Sequence, residues 1–280
     1  MHNQYEVICV PTLKSYLYVL YMTTVGSSSS TVMLNYKFQQ PDTRDFKVQL
    51  TATNLKASNT VTSFSIQTNV KTVYDQGQLG SCVSNAFAGY INMCTTNRVF
   101  ISRLLHYYCG RAIQGTSSID DTGLDIRQAA KIIQQYGACA ETMWPYIISQ
   151  FSVLPPISAF RNSLFFQKYT YSFINQDITT LTSFLYTQKL PILFGFRVYS
   201  SFMTSAVAST GVVPMPNVAH ETLEGGHCVV MVGFNNTTSR FTCVNSWGAS
   251  WGNKGFFTIP YAYVSNPALA SDFCCLNFIY

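Results

Sequence analysis

The stretch Val73-Tyr74-Asp75-Gln76-Gly77-Gln78-Leu79-Gly80-Ser81-Cys82 runs directly into Val83-Ser84-Asn85-Ala86-Phe87-Ala88-Gly89-Tyr90-Ile91. Gly77, Gly80 and Ser81 deliver a cysteine to the first turn of an apolar segment, in which Phe87, Tyr90, Ile91 and Cys94 share one helical face. A thiol placed there faces the orphan N–H groups and the positive end of a helix, which favour its ionised form. A free cysteine titrates near about 8.5, and such settings lower it to roughly 3.5–7.5, so the sequence predicts a reactive thiolate at Cys82. The competing reading is a small buried hydrophobe, the commonest fate of an isolated cysteine. Gln76 can be held beside Cys82 if the chain turns back through Gly77 and Gly80. Its amide and the Cys82 N–H would then stabilise an oxyanion.

A second constellation is Glu224-Gly225-Gly226-His227-Cys228-Val229-Val230-Met231-Val232. It starts an apolar strand with a histidine, and the glycines before it leave room for a ligand. His227 follows Cys82 by 227 − 82 = 145 residues, within the separation of about 130–150 expected when a cysteine and a histidine act together in one class of thiol enzyme. Alone it would read as an ordinary core or surface histidine; with Cys82 it reads as the partner imidazole. His106 sits among Leu and Tyr at helical spacing and reads as packing, and His220 lacks a strand to hold it. The third constellation is Asn245-Ser246-Trp247-Gly248 with Trp251-Gly252 and Gly255-Phe256. A glycine-rich hairpin would account for its turns but not for that succession of residues.

Gln76-Gly77-Gln78-Leu79-Gly80-Ser81-Cys82 resembles the nucleophile segment of the papain-like cysteine peptidases, and the Asn-Ser-Trp-Gly run at Asn245 is the most specific match to that family. Two positions depart from it. Leu79 stands where the family usually has a disulfide-bonded cysteine, and Val83 where it has tryptophan. This is similar to the divergent, cathepsin B-like forms of bacteria and large DNA viruses. The resemblance, covering roughly Asp42 to the C-terminus, implies an α+β protein with a papain-like two-lobed fold: a helical left lobe and a β-barrel-like right lobe, with the active site between them. It implies Cys82 as nucleophile, Gln76 in the oxyanion hole, His227 as acid and base, Asn245 as its orienting group and Trp247 as the cover of that hydrogen bond. The run from Asp121 to Tyr146 is similar to the family's second helical segment. It implies Gly123 and the Gly226 carbonyl as contacts to substrate backbone, although the usual second glycine is Leu124 here. Asp272 falls where relatives reach a specificity pocket. The implied reaction is endopeptidase cleavage through an acyl-enzyme. A papain-fold acyltransferase and a silent peptide-binding module are the alternatives.

The 280 residues suffice for two packed lobes. We expect an N-terminal extension over residues 1–62, a helical lobe over 63–160 and a β-rich lobe over 161–280. Charged residues are only 10% of the chain and the net charge of +5 is not clustered, which argues against nucleic acid or an anionic membrane as partner. Polypeptide substrates and a monomer are expected. The apolar stretch from Ser15 to Val25 is too short for a bilayer, which takes about 20 residues. With Lys14 before it and the Ser27–Ser30 run after it, it could pass for the apolar part of a signal peptide, but Glu6, the absence of positive charge before Lys14 and the apolar start Val7–Val10 broken by Pro11 argue against that. Thr51–Thr72, rich in Thr, Ser and Asn, reads as extended chain with turns. The resemblance makes the extension a short cleft-blocking pro-segment, so the protein would be a zymogen; a permanent extension is the alternative. Nine cysteines and four histidines show no ligand spacing, so neither metal nor cofactor is expected. The odd count and the adjacent Cys274-Cys275 suggest reduced thiols in a cytoplasmic or virion-associated setting. Glycosylation sequons at Asn235 and Asn236 point to a secreted or lysosome-like one.

Overall fold

The computed structural model describes residues 32–115, 119–163 and 169–278, so the expectations for Ser15–Val25 lie outside the described residues. In chain order the helices are α1 (Ala52–Ala57), α2 (Cys82–Cys94), α3 (Arg103–Ile113), α4 (Ile126–Tyr136), α5 (Ile157–Ser163), α6 (Ile178–Gln188), α7 (Ser205–Thr210) and α8 (Tyr261–Ser265). The strands are β1 (Ser63–Ser65), β2 (Tyr169–Phe173), β3 (Ile192–Tyr199), β4 (Leu223–Asn235), β5 (Arg240–Val244), β6 (Phe256–Pro260) and β7 (Ala270–Phe278).

Helices dominate the first half and strands the second, as the sequence pattern predicts. Helix boundaries follow local chemistry. The side chains of Ser102, Asp125 and Asp177 accept hydrogen bonds from Leu105, Gln128 and Thr180 at the starts of α3, α4 and α6. α4 stops at Gly137. α2 is apolar on nearly every side and is buried along almost its whole length, as a central core helix must be. Tyr90 on α2 both donates to the Leu276 carbonyl and accepts from the Leu276 N–H of β7, fastening the helix to the sheet.

The sheet has seven antiparallel strands along the path β2-β7-β3-β4-β5-β6, with β1 on β4. β4 is its spine. β3 covers Leu223 to Met231 on one side, β5 covers Val230 to Asn235 on the other, and β1 continues the ladder where β3 leaves. The buried alternate faces of β3, β4 and β7 close on α2 in one core containing Phe87, Phe194, Met231 and Phe273.

Thr51–Thr72 is not simply extended. It holds α1, a 3-10 turn at Ser58–Thr60 and then β1. Ala52, Leu55, Lys56 and Ala57 are good helix formers, and packing on α6 holds a helix too short to persist alone. Ser58 is buried and bonds the hydroxyls of Thr182 and Ser183, each at 2.9 Å, while Ser183 also donates to the Leu55 carbonyl. Asn236 donates to the carbonyls of Ser58 and Val61. Upstream, Val48 and Phe173 tie residues 46–48 along β2. Deleting residues 1–62 should therefore lower the unfolding free energy by about 1–3 kcal/mol relative to deleting 1–43, because it leaves Ser183 and Asn236 without those partners. Urea unfolding of the two truncated chains checks this.

Candidate active site

The loop before α2 is lashed on three sides. Asp75 accepts from the Gly77 N–H at 2.8 Å, and both carboxylate oxygens of Asp121 accept from the Gly80 N–H, at 3.1 and 2.9 Å. Tyr107 also donates to Asp121. Ser81 pairs with the Tyr146 hydroxyl at 2.5 Å, and that hydroxyl donates to the Gln76 carbonyl at 2.9 Å. Cys82 thus becomes the first residue of α2, with the Gln76 amide folded back onto the Leu79 carbonyl at 3.0 Å and wholly buried.

On the facing element, His227 lies in β4 and Asn245 follows β5. His227 Nε2 donates to Asn245 Oδ1 at 2.7 Å, and the Ser246 N–H donates to the same oxygen at 2.8 Å. That bond places the proton on Nε2 and leaves the lone pair on Nδ1. Nδ1 is buried with no hydrogen-bond partner. The Trp247 ring lies 5.0 Å from the imidazole, tilted 31° to it, and Phe196 approaches edge-on at 5.8 Å. The N–H of Cys228, next to His227, faces the Cys82 sulfur. Cys82 and the β4 histidine segment are therefore neighbours.

A strip of the chain's own N-terminal region fills the groove between them. The Met33 carbonyl accepts from Gln76 Nε2 at 3.1 Å. The Tyr36 N–H donates to the Gly226 carbonyl and the Lys37 N–H to the Leu124 carbonyl, both at 3.0 Å. The Asn35 carbonyl lies against Gly123, at φ 71°, where any Cβ would overlap it. The Tyr36 ring lies on Gly195, whose missing side chain makes the room. The Tyr36 hydroxyl donates to Asp272, which also accepts from Ser271 Oγ at 2.9 Å and from the Gln39 N–H at 3.4 Å. Farther out, Arg127 pairs with Asp45 at 2.6 Å and donates to the Gln40 carbonyl.

Beneath this strip Cys82 and His227 are completely buried. Burial pushes the Cys82 thiol up to about 12, outweighing the N–H groups of Cys228 and Val83 that favour the thiolate. Burial also drives His227 down to about 4, against the hydrogen bond to Asn245 that favours its charged form. The lowered cysteine expected from the sequence is thus reversed in this state. A helix terminus favours a thiolate reached by water, and here the desolvation cost is larger.

The structure brings together Cys82, Gln76, His227, Asn245, Trp247, Gly123, Gly226 and Asp272 around one groove. Leu124, in place of a glycine, supplies its carbonyl to the groove and turns its side chain into the core against Gly110. His106 is a packing residue whose Nε2 pairs with the Ala129 carbonyl, and His220 is exposed. Sequence reasoning missed Asp121, Tyr146 and Ser246. Ser246 donates to Gln76 Oε1 at 2.7 Å and so turns the Gln76 amide N–H₂ toward the groove. Among the described residues no group of three or more His, Cys, Asp or Glu side chains could hold a metal ion.

The model of the papain family of cysteine proteases matches residues 59–273. The chain belongs to this family. An uncharacterised peptidase C1-like protein of Acanthamoeba polyphaga mimivirus is 40% identical over 212 residues, 71% of this chain and 67% of that protein. Among solved structures, xylellain, a cysteine protease of Xylella fastidiosa, is 30% identical with a TM-score of 0.81, over 88% of this chain and 96% of that one. A procathepsin B of Trypanosoma congolense shares the fold at 16% identity and a TM-score of 0.65, over 86% and 85% of the two chains. The papain-like α+β fold follows, and the protein is a cysteine peptidase, a hydrolase acting on polypeptides. No helix among the described residues is long and apolar enough to cross a membrane.

His227 and His106 are both held near 4, against an ordinary 6.5, by burial. Between those values the folded protein binds fewer protons than the unfolded chain. The stability contributed is complete above about pH 6.5 and is lost as pH falls toward 4, on the order of 1–3 kcal/mol per histidine. Melting temperature measured from pH 7 to 4.5 should fall in that window, and less steeply in His106→Gln.

Proposed function

We propose that this papain-family peptidase is an endopeptidase made as a zymogen, with Cys82 as nucleophile, His227 as its acid and base, and Asn245 as the orienting group. The observation that carries this is the His227 imidazole, pinned through Nε2 by Asn245 with Nδ1 unpartnered, on the strand whose next N–H faces the Cys82 sulfur. Once water and substrate replace the strip, desolvation falls and the thiol can pass its proton to Nδ1. The thiolate attacks the peptide carbonyl, and Gln76 Nε2 with the Cys82 N–H holds the oxyanion. His227 protonates the leaving amine, then activates water to hydrolyse the acyl-enzyme. Every group comes from one chain, consistent with a monomer, and the dispersed charge gives nucleic acid no footing.

The zymogen reading rests on the groove contacts of residues 33–39. The Met33 carbonyl occupies the Gln76 amide that a substrate carbonyl would need, and the strip takes the Gly226 and Leu124 carbonyls. Gln40 to Arg44 is largely exposed and suited to cutting, whereas residues 46–65 are built into the sheet and α6. We assign inhibition to the strip and a permanent structural role to 46–65. The Tyr36 pocket, with Gly195 as its wall and Asp272 as its acceptor, then serves as the main side-chain subsite for substrate, with Trp247 shielding the far side of the imidazole.

An electrophilic peptide that traps thiolates is expected to label Cys82 slowly in the full chain. Labelling should be at least about tenfold faster in Tyr36→Ala, given the buried hydrogen bond removed, and absent in Cys82→Ala. Equal labelling of full chain and Tyr36→Ala overturns the inhibitory role. In the opened enzyme Gln76→Ala should lower kcat by roughly 10²–10³. Peptides offering Tyr to the pocket should be cut about tenfold better than those offering Phe, with the preference lost in Asp272→Ala. Products formed with a competing amine present would reveal acyl transfer if it occurred.

A further inference from the structure

The groove contains a second thiol that the peptidase reaction does not use. Cys228 follows His227 directly and is fully buried. Side chains alternate along β4, so Cys228 shares its face with Gly226, the face against which the Tyr36 backbone lies. Its partner across β3 is Gly195, the residue covered by the Tyr36 ring. Cys228 therefore lies in the floor of the groove that the strip fills. α2 packs against the same strand, and a small cavity between them is lined by Asn85, Ala86 and Cys228. The Cys228 N–H faces the Cys82 sulfur, and each of these two residues is close enough to act on the other's ionisation.

We propose that Cys228 is a resolving thiol for Cys82: in the opened enzyme, peroxide converts Cys82 to a sulfenic acid and Cys228 closes on it to form a reversible, inactivating disulfide. This rests on Cys82 being the nucleophile. In the first step the Cys82 thiolate attacks hydrogen peroxide, an S–O bond forms as the O–O bond breaks, and hydroxide leaves. In the second, the Cys228 sulfur attacks the Cys82 sulfur, the S–S bond forms, and the S–O bond breaks with loss of water carrying the Cys228 proton. Two thiols are oxidised by two electrons and one peroxide is reduced to two waters. An external dithiol reverses the exchange and restores both thiols. Without a neighbouring thiol the sulfenic acid goes on to sulfinic acid, which dithiols do not repair. The filled groove keeps Cys82 a shielded, neutral thiol, so oxidation follows opening.

The test uses peptidase-active protein, either self-processed wild type or the full chain carrying Tyr36→Ala, after confirming that the electrophilic peptide labels Cys82. One equivalent of hydrogen peroxide should abolish labelling and activity and lower the intact mass by two hydrogens. Non-reducing peptide maps should contain a Cys82–Cys228 cross-linked peptide, and dithiothreitol should restore activity. When wild type, Cys228→Ala and Cys228→Ser are each given two further equivalents of peroxide, enough for sulfinic acid, and each is normalised to its own activity before oxidation, recovery in the variants should be at least about tenfold lower, with two oxygens gained on Cys82. Loss of labelling with no Cys82–Cys228 peptide, a Cys228–Cys274 cross-link in its place, or variants that recover as fully as wild type would overturn the proposal. Should Cys82 fail to label before peroxide, the nucleophile assignment itself would fall. The wild-type map decides even if a variant does not fold.

Discussion

Desolvation of one thiol and one imidazole governs this molecule. A peptidase of this kind needs both groups to ionise, and both are most strongly opposed as ions when covered. With the N-terminal strip in the groove, Cys82 and His227 are completely buried and neutral. In the proposed mechanism the same two side chains, on the same helix and strand, become an ion pair once water reaches them. No rearrangement of the scaffold is needed, because Asn245, Ser246 and Trp247 already hold the imidazole. On the proposed zymogen reading, latency and competence differ in what covers the site.

The strip succeeds as a cover because it is held largely by backbone. Tyr36 and Lys37 give N–H groups to the carbonyls of Gly226 and Leu124, and Met33 gives a carbonyl to Gln76. These contacts are blind to side chains, so the groove can accept many peptides in that manner. The one side-chain pocket the strip uses is the place where Gly195 withdraws its side chain and Asp272 offers an acceptor to the Tyr36 phenol, which the proposal makes the seat of selectivity. Asp272 itself has φ 63°, a conformation uncommon for a residue other than glycine, and burial raises its carboxyl. Strain and desolvation together mark it as a position held for the groove.

Much of this was legible in the residues alone. Gln76, Cys82, His227 and Asn245 stand in dissimilar local patterns that seldom coincide in one chain by chance, and the caps at Asp125 and Asp177 and the stop at Gly137 follow from local chemistry. The helix at Ala52–Ala57 was not legible. Ala52, Leu55, Lys56 and Ala57 are good helix formers, but six residues are too few to hold a helix alone, and packing on α6, with Ser58 buried against Thr182 and Ser183, fixes it. Nor could Asn35 and Tyr36 be recognised as groove residues, since backbone-mediated contacts leave no mark on residue type. The ionisation of Cys82 escapes a sequence reading for a related reason. A helix terminus is a local signal, whereas burial by residues more than forty positions earlier is a tertiary one.

Residues 46–65 carry a consequence of a different sort. Beyond Met231 the long strand β4 loses its β3 neighbour, and β1 takes up the exposed backbone of Gly233 to Asn235, while Lys47 and its neighbours lie along the outer margin of β2. Open strand margins invite a second molecule to add itself in register. By sealing both, this part of the extension works as a built-in guard against self-association, and a shortened enzyme that keeps it would stay dispersed in a crowded solution of its own copies.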